Sequence, residues 1–223
     1  MKNKLNLGFK DVVLLLIGLV PIVVAAYYYK KLPGQIAIHF NLNGDGDNYL
    51  TKKYALSLLS IITLGFPILF KFTRSIDPKH ANYLKFESTF EFMRFCITIL
   101  LSYLFLLTIL YNLGHFTGIN NWGIPATGIF FILFGNALNR IRFNYFIGIR
   151  TPWTLSNEEV WRRTHRFSGP VFIIAGLLMM LSVAFKNPFW VILAAFITIV
   201  LIPTGYSYLI SREINRQSNH EEV

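Results

Sequence analysis

The chain has 223 residues, of which 54% are hydrophobic and only 14% charged, and 21 Lys and Arg against 11 Asp and Glu give it a formal net charge of +10 at pH 7. So few charged residues are atypical of a water-soluble domain, whereas lipid can cover apolar faces, so the composition favours an integral membrane protein. The basic residues flank apolar runs and form no stripe of their own, which argues against direct nucleic-acid binding, and a single cysteine, Cys96, excludes an intrachain disulfide.

Six apolar runs are long enough to cross a bilayer, whose hydrocarbon core takes about 20 residues of helix. The fourth run is the weakest, because glycines and a proline dilute it. We predict an all-α membrane protein with six transmembrane helices in a single domain over residues 1–223, in which the fifth and sixth helices form a hairpin around the turn at 186–188. The predicted spans are residues 12–29, 54–72, 92–112, 122–138, 170–185 and 189–210.

Lys and Arg are unequally divided between the two sides that these spans define. The amino-terminal tail, the second and fourth loops and the carboxyl-terminal tail hold 16 of the 21, and the other loops hold five. Positively charged segments stay on the cytoplasmic side of a membrane. The sequence therefore predicts a multi-pass membrane protein with both termini in the cytoplasm.

The first loop, residues 30–53, is predicted to be extracellular. Ile36, Ile38 and Phe40 alternate with less apolar residues, a period of two that predicts a short strand. The Asn- and Gly-rich residues 43–46 then predict a turn. We expect a strand and turn that rest an apolar face on the helices.

The same turn has part of the spacing of a calcium-binding loop. The residue in the position of the bidentate glutamate is Lys52, and the first ligand position holds Asn41 rather than aspartate. The simpler interpretation is a polar turn held by its own Asx hydrogen bonds. We therefore predict no metal site here, and His39 with Asp47 is too small a set to change that prediction.

The fourth loop, residues 139–169, is predicted to be cytoplasmic and has the most chemical character. Residues 150–153 predict a turn, because a proline disfavours helix at the residue before it. Ser156 and Glu159 have the spacing of a capping box, which predicts a helix over residues 157–167.

This helix has apolar residues on one face and three arginines toward its end. We predict an amphipathic interfacial helix in the plane of the membrane, between the fourth and fifth transmembrane helices, which Gly169 and Pro170 end. One interpretation is structural, with Trp153 and Trp161 as interfacial anchors. The alternative is a docking surface for a cytoplasmic or lipid-borne partner.

Signatures of catalysis are missing from the sequence. It has no Walker loop, no H-E-x-x-H pair and no G-x-S-x-G elbow, and no carboxylate lies in the middle of a span, which argues against an ion-driven pump. Arg94, at the end of the third span, is expected to reach the head groups by snorkelling. We predict a protein that is not an enzyme, with no catalytic, cofactor-binding or metal-ligating residues.

Two segments carry motifs. One in the first loop is similar to H-F-N followed by G-x-x-D-x-(W/Y)-x-x-K, and one in the fourth loop is similar to N-x-x-x-G-x-R-T-P-x-T followed by W and H. The residues are Pro33, Ile38, His39, Phe40, Asn41, Gly44, Asp47, Tyr49 and Lys52, and then Asn144, Gly148, Arg150, Thr151, Pro152, Thr154, Trp161, His165 and Gly169. On these motifs the chain resembles the SdpI family of bacterial toxin-immunity and signal-transduction membrane proteins.

The resemblance implies six spans, a location in the bacterial cell membrane, and protection of the producing cell's membrane from a secreted peptide toxin. In the best-known members it also implies a receptor that, once it has bound toxin, sequesters a cytoplasmic repressor. The partners implied are thus the toxin outside, a repressor inside and membrane lipids. The residues expected to contact toxin or partner are His39, Asn41, Asp47, Asn144, Arg150, Thr151, Trp153, Trp161 and His165.

Two other functions stay open on the sequence. A small-solute transporter requires polar groups that converge in mid-membrane, which the spans do not supply. A membrane enzyme that acts on envelope components would use His39, Asp45 and Asp47 on the outside or His165 on the inside.

Overall fold

The computed structural model describes residues 8–41, 43–185 and 189–221, and only the backbone of 218–221. Six of its helices are long and apolar enough to cross a membrane, so the predicted fold class is confirmed. The helices are α1 (Phe9–Tyr27), α2 (Lys52–Ile76), α3 (Glu87–Asn112), α4 (Asn120–Leu138), the short α5 (Pro152–Ser156), α6 (Glu158–Leu181) and α7 (Phe189–Glu221), with 3-10 turns at His80–Phe86 and Ser182–Ala184. The turn predicted at 186–188 lies outside the described residues.

Helices α1, α2 and α3 pack on one another, and α6 packs on both α4 and α7. Contact between α4 and α6 is close because each brings two glycines to it. A Cβ on Gly176 would lie 2.5 Å from the carbonyl oxygen of Gly128, and one on Gly169 would lie 2.9 Å from that of Gly135. Small residues of this kind let membrane helices approach at backbone distance.

The predicted separate interfacial helix is wrong. Helix α6 runs unbroken from Glu158 through Gly169 and Pro170 to Leu181. Gly169 does not end a helix, because its role is the close approach to α4, and a transmembrane helix tolerates a proline such as Pro170. The residues assigned to the second half of the fourth loop are therefore the first turns of the fifth spanning helix.

The predicted capping box is also wrong. Asn157 is the N-cap of α6, and its side-chain oxygen accepts hydrogen bonds from the amides of Glu159 (2.8 Å) and Val160 (3.2 Å). Ser156 ends α5 instead and donates to the carbonyl of Trp153. An asparagine is as good an N-cap as a serine, and its longer side chain also reaches the first free amides.

A buried ion cluster joins the first three helices where α1 begins. Arg94 is 2% exposed and does not snorkel, contrary to the prediction. Its guanidinium donates to Asp11 at 2.7 Å, to Glu91 at 2.8 Å and to the carbonyl of Pro67 at 3.0 Å. Lys71 is also paired with Asp11. A buried charge is stable only when it is paired in this way.

Candidate functional site

The first loop is a two-stranded antiparallel hairpin. Strand β1 (Gln35–Phe40) pairs with β2 (Gly46–Thr51), and the second strand was not predicted. The side-chain oxygen of Asn41 accepts from the amides of Asn43 (2.9 Å) and Asp45 (3.1 Å), which confirms the predicted Asx turn. Asn41 thus shapes the turn.

Residues at the end of α3 and the start of α2 hold the hairpin in place by hydrogen bonds. The amide of Asn112 pairs with both backbone groups of Ala37, at 2.8 and 3.1 Å, as a neighbouring strand would. The hydroxyl of Tyr111 accepts from the amide of Gly46 at 3.0 Å. Lys52 donates to the carbonyls of Tyr29 and Leu32 and so satisfies free carbonyls just after α1. These contacts give the hairpin a fixed position.

The turn of the hairpin also rests on the start of α4. The carbonyl of Gly44 accepts from the amide of Ile119 at 3.2 Å. Gly44 has φ +86°, and a Cβ there would lie 2.8 Å from the backbone of Gly118, so glycine is required for this approach. Sequence reasoning found the turn but not its contact with α4.

His39 and Asp47 face outward from the hairpin. His39 Nδ1 lies 2.6 Å from an oxygen of Asp47, and the two side chains are 69% and 41% exposed. Among the described residues no group of three or more His, Cys, Asp or Glu could hold a metal ion. The pair is therefore an exposed polar feature that a partner outside the hairpin can reach.

Residues 139–151 form the second candidate surface, and Asn144 is their centre. Its side chain is fully buried. The oxygen accepts from the amides of Phe146 (2.9 Å) and Ile147 (2.7 Å), and the nitrogen donates to the carbonyls of Arg142 (2.9 Å) and Ile147 (3.0 Å). One side chain thus satisfies four backbone groups of a segment that has no secondary structure of its own.

Residues of the segment that precedes α3 also hold the 139–151 segment in place. Asp77 is 2% exposed, and one of its oxygens accepts from the hydroxyl of Tyr83 and the amide of Tyr145, each at 2.9 Å. Asn82 donates to the carbonyl of Phe143 at 2.8 Å. Sequence reasoning missed these residues, because they lie about 60 positions away in the chain and carry no motif.

Helix α6 completes the support from the other side. His165 is 1% exposed. Its Nδ1 donates to the carbonyl of Trp161 at 2.8 Å, and its Nε2 accepts from the amide of Ile149 at 3.0 Å. Because Nε2 accepts, the proton of the neutral ring is on Nδ1. Trp161 is 2% exposed and donates to the carbonyl of Ile141. Gly148 has φ +113°, and a Cβ there would meet His165 Nε2 at 2.3 Å.

The threonines of the R-T-P-x-T motif cap α5. Thr151 accepts from the amide of Thr154 at 3.1 Å, and Thr154 accepts from the amide of Thr151 at 2.9 Å. Thr151 Oγ1 also lies 3.1 Å from the hydroxyl of Ser207, which joins this turn to α7.

Burial divides the predicted contact residues of this surface into two groups. Asn144, Trp161 and His165 present almost no surface and hold the backbone, and Thr151 caps a helix. Arg150 is exposed, with one bond to the carbonyl of Tyr145. Trp153 is half-buried against Tyr208 of α7, at a ring distance of 5.1 Å. Among the predicted contact residues of this surface, Arg150 is thus the one that a partner can reach most directly.

The hairpin and the 139–151 segment lie at opposite ends of the helical bundle. The hairpin touches the start of α4, and the segment follows the last residue of α4, Leu138. A helix of 19 residues is roughly 28 Å long, close to the thickness of the hydrocarbon core.

The comparisons with known proteins match both of these regions. The model of the SdpI/YfhL protein family matches residues 140–207, and the model of a domain of unknown function (DUF1648) matches residues 16–64. The chain is also 26% identical over 210 residues to "Immunity protein SdpI" of Bacillus subtilis (strain 168), across 94% of this chain and 98% of that protein. The resemblance to the SdpI family that the motifs predicted is thus confirmed by both comparisons. No solved structure matches it.

The SdpI/YfhL match begins at Arg140 and so includes the whole buried framework around Asn144, Gly148 and His165. The match to the domain of unknown function includes both strands of the hairpin. The two matched regions are therefore the hairpin with parts of α1 and α2, and most of the 139–151 segment with α5, α6 and the first part of α7.

Proposed function

We propose that this chain is a member of the SdpI family, a multi-pass membrane protein that protects the cell that makes it from a secreted peptide toxin. The observation that carries the proposal is the match to an immunity protein over nearly the full length of both chains. Protection requires no chemistry from the chain itself, and we propose a binding protein without catalysis.

The sides of the membrane follow from charge. We propose that both termini and the 139–151 segment are cytoplasmic, because the segments at that end hold most of the Lys and Arg residues. The hairpin then faces outward, where a toxin arrives. Its fixed attachment to α3 and α4 presents the His39–Asp47 pair in one orientation, which lowers the entropic cost of binding.

At the cytoplasmic end we propose that Arg150, Thr151 and Trp153 form part of a surface that binds a protein partner. The partner would be a cytoplasmic repressor, which the chain, acting as a receptor, would sequester once toxin is bound. Arg150 is exposed on a backbone that Asn144 and His165 hold. An arginine on a rigid backbone is typical of residues that contribute strongly to an interface.

Protection is tested in a toxin-sensitive bacterial strain that expresses the chain, with an empty vector beside it. We expect survival under toxin challenge, and survival no better than with the empty vector would contradict the proposal. His39→Ala and Asp47→Ala should each lower survival at unchanged membrane abundance. Lys53→Ala, which removes an exposed side chain beyond the hairpin, is the matched control and should protect fully.

Orientation is tested separately by cysteine labelling. Replacing the single cysteine, Cys96→Ser, gives a background without thiols. In that background we expect an impermeant thiol reagent added to intact cells to label Asp45→Cys, and to label Arg150→Cys only after the membrane is opened. Labelling of both positions from the outside would refute this topology and leave the test of protection unaffected.

A further inference from the structure

A polar cleft of about 390 Å³ opens beside the buried framework of the 139–151 segment. Three different helix ends line it: the 3-10 turn before α3, the segment after α4 and the first turns of α6. A cleft between the ends of three spanning helices lies at the level of the lipid head groups. The cleft residues that matter here are Lys85, Arg142, Glu158, Glu159 and Arg162.

The acidic side chains of the cleft already have cationic partners. Glu159 lies 2.7 Å from Arg162 and 2.7 Å from Arg163. Glu158 lies 3.8 Å from Lys79. Neither carboxylate is therefore left to neutralise a further cation.

Two cations of the cleft have no such partner. Over the part of the chain that the structure describes, neither Lys85 nor Arg142 takes part in an ion pair. Arg142 is exposed, and its backbone is fixed because its carbonyl accepts from Asn144. The cleft thus has an excess of positive charge on a held backbone, which favours an anion.

We propose that this cleft binds the phosphate of an anionic phospholipid head group, with Lys85 and Arg142 as its cationic ligands. Phosphate is the favoured anion because the guanidinium of arginine matches its geometry with two parallel hydrogen bonds. The lipid is the favoured source because basic pockets between helices on the cytoplasmic side of a membrane take such head groups. The inference rests on the proposed cytoplasmic position of the 139–151 segment, but neither the proposal of toxin immunity nor its test enters it.

The test uses the full-length protein purified in a neutral detergent. Thermal unfolding is followed while phosphatidylglycerol, phosphatidylcholine or inorganic phosphate is added, and a ligand that binds the folded state raises the midpoint with its concentration. We expect phosphatidylglycerol to raise the midpoint of the wild type, and phosphatidylcholine to leave it unchanged. Inorganic phosphate that raised it as much as phosphatidylglycerol would overturn the lipid as the source.

Charge variants then locate the site. Lys85→Gln and Arg142→Gln should each weaken the affinity for phosphatidylglycerol about five-fold, the effect of one cation near a lipid surface. Glu158→Gln should strengthen it, because it removes a negative charge from the cleft. Arg166→Gln is the matched control, since Arg166 is exposed on α6 and does not line the cleft, and it should leave the affinity unchanged.

Either of two results overturns the site. Equal weakening by Arg166→Gln and Arg142→Gln would show a general attraction of a basic protein for anionic lipid. Affinities unchanged in both cleft variants would show that the cleft holds no phosphate. Midpoints of the variants in phosphatidylcholine equal to that of the wild type establish that they fold.

Discussion

Removal of the Asn144 side chain should destabilise the protein strongly, although the residue lies in a segment without secondary structure. In Asn144→Ala the amides of Phe146 and Ile147 and the carbonyls of Arg142 and Ile147 all lose their partner. The two bonds to Ile147 are fully buried, so water cannot replace them. An unsatisfied buried backbone group costs about 1–3 kcal/mol, and two such groups give about 2–6 kcal/mol.

The assay is denaturant or thermal unfolding of the purified protein in detergent, with membrane abundance as a second measurement. Asn139→Ala is the matched control, because Asn139 is an exposed asparagine just after α4 and its side chain has no comparable bonds. Surface substitutions of this kind change stability by about 0.5 kcal/mol or less. An Asn144→Ala protein as stable as the control would refute the idea that this amide holds the segment.

Three further predictions concern a close backbone approach, the buried ion cluster and the attachment of the hairpin. Gly148→Ala should lower the free energy of unfolding by more than about 3 kcal/mol, because φ is positive there and the new Cβ would lie 2.3 Å from His165 Nε2. Gly34→Ala is the control, since a Cβ there meets nothing within 4 Å, and it should be nearly neutral in the same unfolding assay. Arg94→Gln should cost about 3 kcal/mol and Arg94→Lys less, because a lysine keeps a charge opposite Asp11; equal losses would contradict a role for that charge. Asn112→Ala should speed hydrogen exchange at the amide of Ala37 with little change at the amides of α6, and uniform acceleration would instead indicate global loosening.

The sequence predicted the elements whose causes are local. A run of apolar residues of bilayer length forms a helix wherever it occurs, so hydropathy alone located the six spanning helices. The Asx turn at Asn41 was predictable for the same reason, since its donors are two and four residues away. These features need no knowledge of what packs against them.

Features set by distant contacts were not predictable in this way. Gly169 and Pro170 are typical of a helix end, and only the contact with Gly135 explains why α6 continues through them. Arg94 is near the end of its apolar run and was expected to extend to the head groups. Its side chain is buried instead because it pairs with Asp11, which is 83 residues away in the sequence. The predicted interfacial anchor Trp161 is buried because the 139–151 segment folds over it.

The buried residues of the 139–151 framework also limit which properties can be inferred for this chain from its match to an immunity protein. Asn144, Gly148 and His165 act on backbone groups of their own chain, so the same residues in a relative indicate the same folded segment. The side chains of Asn144 and His165 cannot contact a toxin or a partner directly, because almost none of their surface is accessible. Under the proposed function, selectivity would come from exposed side chains, and Arg150 at one end and the His39–Asp47 pair at the other have the exposure that this needs. If the proposed function holds, exchange of these exposed residues between relatives should change the partner, whereas replacement of the buried residues by alanine should destabilise the segment and leave the choice of partner unchanged.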